Sequence, residues 1–192
     1  MKSLIAIGLA SVAGVSAPCA AGFSYVSSFA TWQAFAPTFT TVDFTALQDD
    51  DWLTDQYFDL GVSFDGGLVQ VSPGIYLQDG VGVYGGCSIE VVFAELQYAI
   101  GSHHPGSMAF DLYLGETLLY VSPDTGLGFD NFRGVTSTQP FDRVIMHRNL
   151  GGPSCVAVQV DNIYFSSVPT PGAAAVLLLG LAANARRRRE NG

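Results

Sequence analysis

A two-residue rhythm constrains this chain more than any other feature. Met108, Phe110, Leu112 and Leu114 share one parity, and Ala109, Asp111 and Tyr113 the other. Ile89, Val91 and Phe93 repeat the pattern against Ser88, Glu90 and Val92. Successive side chains of a strand point to opposite faces, so this spacing encodes half-buried strands; a helix would bring its apolar residues back at three and four. Turn signals punctuate the runs: Asp65-Gly66-Gly67, Gly85-Gly86, Gly115-Glu116 and Gly151-Gly152-Pro153. Further short runs lie at 42–47, 62–64, 68–71, 81–84, 117–121, 132–136, 144–147 and 156–165, bringing the strands to about ten. Residues 48–60 read as a loop with some helical turn, 22–41 as a lead-in or first edge strand, and no window of the body as an amphipathic helix. So many short strands in one domain's length predict an all-β fold, two antiparallel sheets packed as a sandwich or jelly roll.

The ends have a different composition. Met1-Lys2 is followed by an apolar run over 4–15 and a small-residue zone over 17–21, which predicts a signal peptide at 1–21, a helix removed on export. Cys19 offers lipid attachment as an alternative, for which the preceding Pro18 is a poor fit. At the other end Pro169 and Pro171 keep a helix from starting before Gly172. Uncharged residues 172–185 come next, then Arg186, Arg187, Arg188 and Arg189. As a helix that run spans roughly 21 Å, against a bilayer core of about 30 Å. This predicts a short transmembrane helix with the arginines as its cytoplasmic anchor.

The succession Val168, Pro169, Thr170, Pro171, apolar helix and arginine cluster resembles the PEP-CTERM sorting signal, with Thr170 where glutamate is usual. The resemblance implies a Gram-negative envelope protein, anchored transiently in the inner membrane. An exosortase-type enzyme would then cut it, for the cell surface or the medium. The expected division is 1–21 signal peptide, 22–41 lead-in, 42–167 β-sandwich and 168–192 sorting signal.

Between the ends the charge is lopsided. Arg133, Arg143 and Arg148 face sixteen carboxylates, with no lysine, for a net of −13. Such a surface repels nucleic acid and anionic lipid. Cys87 and Cys155 form an even pair in an oxidising compartment, and both follow turn signals. They predict a disulfide worth about 4 kcal/mol by loop entropy; the alternative is two separate buried thiols. Along the last strand the apolar parity of Val156, Val158 and Val160 passes to Ile163 and Phe165. That switch at Asp161-Asn162 predicts a bulge or sharp twist.

The stretch Thr54-Asp-Gln-Tyr-Phe-Asp-Leu-Gly-Val-Ser-Phe64 resembles a "T-x-Q-Y-x-x-x-G-V-x-F" segment common near the start of jelly-roll domains in PEP-CTERM proteins. Phe132-Arg-Gly-Val-Thr-Ser137, Phe141-Asp-Arg-Val-Ile145 and Val160-Asp-Asn-Ile-Tyr-Phe165 resemble their later strands. The resemblance implies a galactose-binding-like jelly roll. It implies also a structural calcium where the final strand meets the first, at Asp161 and Asp43.

No Gly-x-Ser-x-Gly, His-Glu-x-x-His, Walker or dinucleotide fingerprint occurs. His103 and His104 precede Pro105-Gly106 and read as a surface turn; His147 reads as surface, and Asp49-Asp50-Asp51 as a solvated run. Trp32, Trp52 and eight tyrosines are either core or a platform on which sugar C–H faces stack. The leading reading is a non-catalytic exported surface or matrix protein. A carbohydrate-binding module for exopolysaccharide is the alternative, and a glycan-active hydrolase or lyase the third. An exposed aromatic row would favour the second, and two convergent buried carboxylates the third.

Overall fold

The computed structural model describes residues 22–65, 70–73, 80–124, 126, 128, 131–148 and 157–169. The predicted signal peptide, Cys155 and everything from Thr170 onward lie outside the described residues. Among the described residues no helix is long and apolar enough to cross a membrane.

The strands are β1 (Phe23–Val26), β2 (Thr40–Val42), β3 (Val62–Asp65), β4 (Gln70–Pro73), β5 (Val81–Gly85), β6 (Ser88–His104), β7 (Ala109–Leu114), β8 (Thr117–Val121), β9 (Asn131–His147), β10 (Val158–Val160) and β11 (Ile163–Ser166). One helix, α1 (Phe29–Phe35), lies between β1 and β2. A single 3-10 turn, Phe58–Leu60, leads into β3. The all-β antiparallel expectation holds: every strand pairing among the described residues is antiparallel.

The long strands β6 and β9 form a central ribbon that serves two half-sheets. In one half β6 and β9 are flanked by β11 and β1, with β2 beyond β11; in the other they are flanked by β3 and β7, with β8 beyond β7. The ribbon is irregular in its middle. Its register shifts between Val92 and Gln97 and shifts back between Gln97 and Ala99. Pro140 falls in the second irregularity, where its missing N–H costs no ladder bond. A smaller sheet, β10-β5-β4, faces the ribbon. Val83, Val158 and Val160 from this sheet share one core with Ile89, Val91, Phe110, Val144 and Met146 from the large one.

Three features depart from the sequence reading. First, α1 exists: Ser28 caps it, its Oγ accepting from the N–H of Thr31 at 3.5 Å. The helix drives Trp32 onto the outer face of one half-sheet, where it joins Phe29, Phe39, Phe132 and Tyr164. Seven residues are too few for a visible period. Second, residues 156–165 are not one bulged strand. β10 belongs to the small sheet and β11 to the large one, and the chain changes sheet at Asp161-Asn162. The parity switch is the mark of that change. Third, His103 and His104 are not a surface turn. They end β6 and are buried, at 8% and 1% exposure.

Candidate functional site

The ribbon's irregularity creates the site. Along one edge of β6, β3 covers Glu90 to Phe93 and β11 covers Ala99 to Ser102. The intervening stretch of β6 has neither beside it. A cleft of about 390 Å³ opens there, within the usual range of ligand pockets. The turn Phe58–Leu60 forms one wall, and the end of β11 with Thr38 and Thr40 forms the other.

The loop that carries Phe58 is held by its own side chains. Gln56 Oε1 accepts from the N–H of Thr54 at 2.7 Å, and Gln56 Nε2 donates to the Trp52 carbonyl at 2.6 Å. Tyr57 donates its hydroxyl to the Asp43 carbonyl. Burial, then the Asp43 charge, pushes the Tyr57 phenol up to about 12, so it stays a donor. Gly61 closes the turn at φ +77°, a left-handed conformation that favours glycine, and its carbonyl accepts from the N–H of Ala94 at 2.9 Å. Val62 and Phe64 then enter the core. The letters of the Thr-x-Gln-Tyr motif are therefore scaffold. The three consecutive free positions before its glycine, Phe58, Asp59 and Leu60, are what the scaffold presents to solvent.

Phe58 is 65% exposed and Leu60 44%. Asp59 and Glu95 are exposed as well and line the cleft. On the floor lies Gln97, 3% exposed. Its Nε2 donates to the Glu95 carbonyl at 2.9 Å, while its Oε1 has no hydrogen-bond partner. A buried acceptor left unmet costs about 1–3 kcal/mol; the acceptors the cleft exposes are the carboxylates of Asp59 and Glu95. The cleft thus offers an apolar rim for C–H groups and oxygen acceptors for hydroxyl or amino groups.

The residues singled out from sequence are dispersed. Asp43 is exposed, its Oδ1 accepting from the Thr45 hydroxyl at 2.9 Å. Asp161 is buried between β10 and β11. No group of three or more His, Cys, Asp or Glu side chains converges among the described residues. A calcium at Asp43 and Asp161 would therefore draw most of its oxygens from carbonyls, hydroxyls or water. Cys87 is disulfide-bonded. Val168 lines the cleft, whereas Thr170, Pro171 and Arg186 to Arg189 lie outside the described residues. Trp32 is core, while Trp52 is 51% exposed on the Phe58 loop. Sequence reasoning missed the cleft residues. The run of apolar, acidic and apolar side chains just before a turn glycine was their only local signal.

No protein-family model and no curated protein matches the chain. Among solved structures, a family 29 carbohydrate-binding module is similar at 10% identity and a TM-score of 0.44, over 69% of this chain and 92% of that one. The CBM51 module of the Clostridium perfringens GH95 protein, solved in complex with methyl-galactose, is similar at 12% identity and 0.33, over 66% of this chain and 100% of that one. The CBM51-2 module of Clostridium perfringens ZmpB, solved in complex with GlcNAc, gives 11% and 0.36, over 66% of this chain and 32% of that one. Likenesses this remote assign neither family nor ligand.

Proposed function

We propose that the domain is a non-catalytic glycan-binding module of jelly-roll type, with the cleft beside the β6 irregularity as its sugar site. The observation that carries this reading is Phe58. Its ring is 65% exposed on a loop fixed by the Gln56 and Tyr57 hydrogen bonds. It stands beside the exposed carboxylates of Asp59 and Glu95, which line the same cleft. A pre-set apolar face beside exposed acceptors suits a sugar ring, which has C–H groups on its faces and hydroxyls at its edge. The two cleft carboxylates both stand in solvent. A buried acid beside an ionised partner, the arrangement that divides proton donor from base, is not what they make.

The reading places the module on an exported chain, processed through the C-terminal sorting signal and presented at the cell surface or in an exopolysaccharide matrix. The test of binding is affinity electrophoresis through gels containing soluble β-glucan, galactan or chitosan. At least one polysaccharide should retard the full chain. Phe58→Ala should weaken that retardation by about tenfold, the loss of one aromatic contact, with the melting temperature unchanged. Retardation that survives Phe58→Ala intact would put the glycan elsewhere and defeat the proposed site.

A further inference from the structure

Among the described residues the cleft's lining contains two carboxylates, Asp59 and Glu95, and no basic side chain. The body's three arginines are engaged elsewhere. Arg143 pairs with Glu90 at 3.1 Å and with Glu116 at 3.7 Å. Arg133 is fully buried against the Tyr25 ring at 4.2 Å. Arg148 donates to the Ala157 carbonyl at 3.4 Å. The charge of the cleft is therefore not cancelled from within, and the surplus of acidic side chains over the body adds to it.

The hydrogen-bonding groups lean the same way, since the Thr38, Thr40 and Ser167 hydroxyls can accept as well as donate. Ionised carboxylates only accept. The Gln97 amide has spent a donor on the Glu95 carbonyl. Ser166 Oγ gives its proton to the Thr38 carbonyl at 2.6 Å. An acid sugar would meet repulsion here. An N-acetyl group would bring one amide donor and one carbonyl acceptor, and no positive charge to meet the two carboxylates. A free ammonium on a sugar ring brings three donors and a positive charge while leaving the ring's C–H face for Phe58.

Resting on the glycan-binding reading, we infer that this cleft selects amino sugars with free amino groups, that is, de-N-acetylated hexosamine polymers, over neutral, N-acetylated and acidic glycans.

The test is calorimetric titration of the full chain near pH 6. The probes are a glucosamine hexamer, its fully N-acetylated form, a neutral glucose hexamer and a lysine hexapeptide. The glucosamine hexamer should bind about tenfold more tightly than the acetylated or neutral one, as two partly exposed ion pairs warrant. The Asp59→Asn, Glu95→Gln double variant should lose that preference, its affinity for the glucosamine hexamer falling to that for the neutral one. Both positions are exposed, so its melting temperature should hold, and Glu95→Gln alone should lose part of the preference. Neutral or acetylated hexamers binding as well as glucosamine would overturn the inference and leave the glycan reading standing. A lysine peptide binding as tightly as glucosamine would overturn it too, by reducing recognition to charge. If none of the three sugars bound, the inference would be overturned, and the glycan reading would fall with it if the galactan gel also failed to retard the chain.

Discussion

His104 and His147 are pushed in opposite directions by their surroundings. Burial first, then the charge of Arg133, lowers His104 to about 4. His147 is raised, chiefly by its 3.0 Å hydrogen bond to Asp111 and further by the charges of Asp111 and Asp124. An unfolded histidine takes its proton near 6.5. The His104 contribution is therefore whole above about pH 6.5 and is lost as pH falls toward 4, on the order of 3 kcal/mol. The His147 contribution is whole below the unfolded value and fades as pH rises through its raised folded value. Stability from this pair should peak near pH 6.5. Denaturant midpoints across pH 4–9 should show the dome, flattened on the acid side in His104→Asn and on the alkaline side in His147→Asn. Slopes unchanged in both variants would remove these residues from the account. None of this was readable at the residue level. Two histidines before Pro-Gly look like a turn when the preceding strand is taken to stop at Phe93, whereas β6 continues to His104.

Among the elements, the strands with clean parity were legible: Ile89, Val91, Phe93, Met108, Phe110 and Leu112 are all buried, as alternation requires. What parity could not reveal was length and company. The second half of β6 is buried on both faces, by the main core and by the cluster under α1, and a strand covered twice has no alternation to read. Two glycines make room for that cover. A Cβ on Gly134 would meet Trp32 Cδ1 at 2.3 Å, and one on Gly101 would meet Phe132 Cζ at 2.7 Å. Gly134→Ala should destabilise by about 1–3 kcal/mol through overpacking. Relief of glycine's backbone entropy returns only about 0.5–1 kcal/mol, so the clash wins. Gly86, whose Cβ would meet nothing within 4 Å, supplies the control. Equal melting temperatures for Gly134→Ala and Gly86→Ala would refute the account of Trp32 as a plug.

For the whole molecule, the class of fold could be read from the alternation, while the cleft could not. The cleft needs three parts far apart in sequence: the turn at Phe58, the gap on β6 and the end of β11. Only the pairing of β3 and β11 along one edge of β6 brings them together, and pairing partners are not written locally. The proposed export route has its own test. The secreted product should lack residues 1–21 and the arginine cluster, and its mass should be lower by two hydrogens for a Cys87–Cys155 bond. Val158 pairs with Gly85, which brings the strands next to both cysteines side by side. A secreted chain still carrying Arg186 to Arg189 would refute the processing. The order of strands also sets the order of assembly. Among the described residues β2 pairs only with β11, and β11 fills the place between β2 and β6. A chain emerging N-terminus first thus holds an incomplete sheet until Ser166 is out, open to proteases and to other sheet edges. Strand β11 works as a latch in time: whatever retains the chain just beyond it also decides when the domain can close.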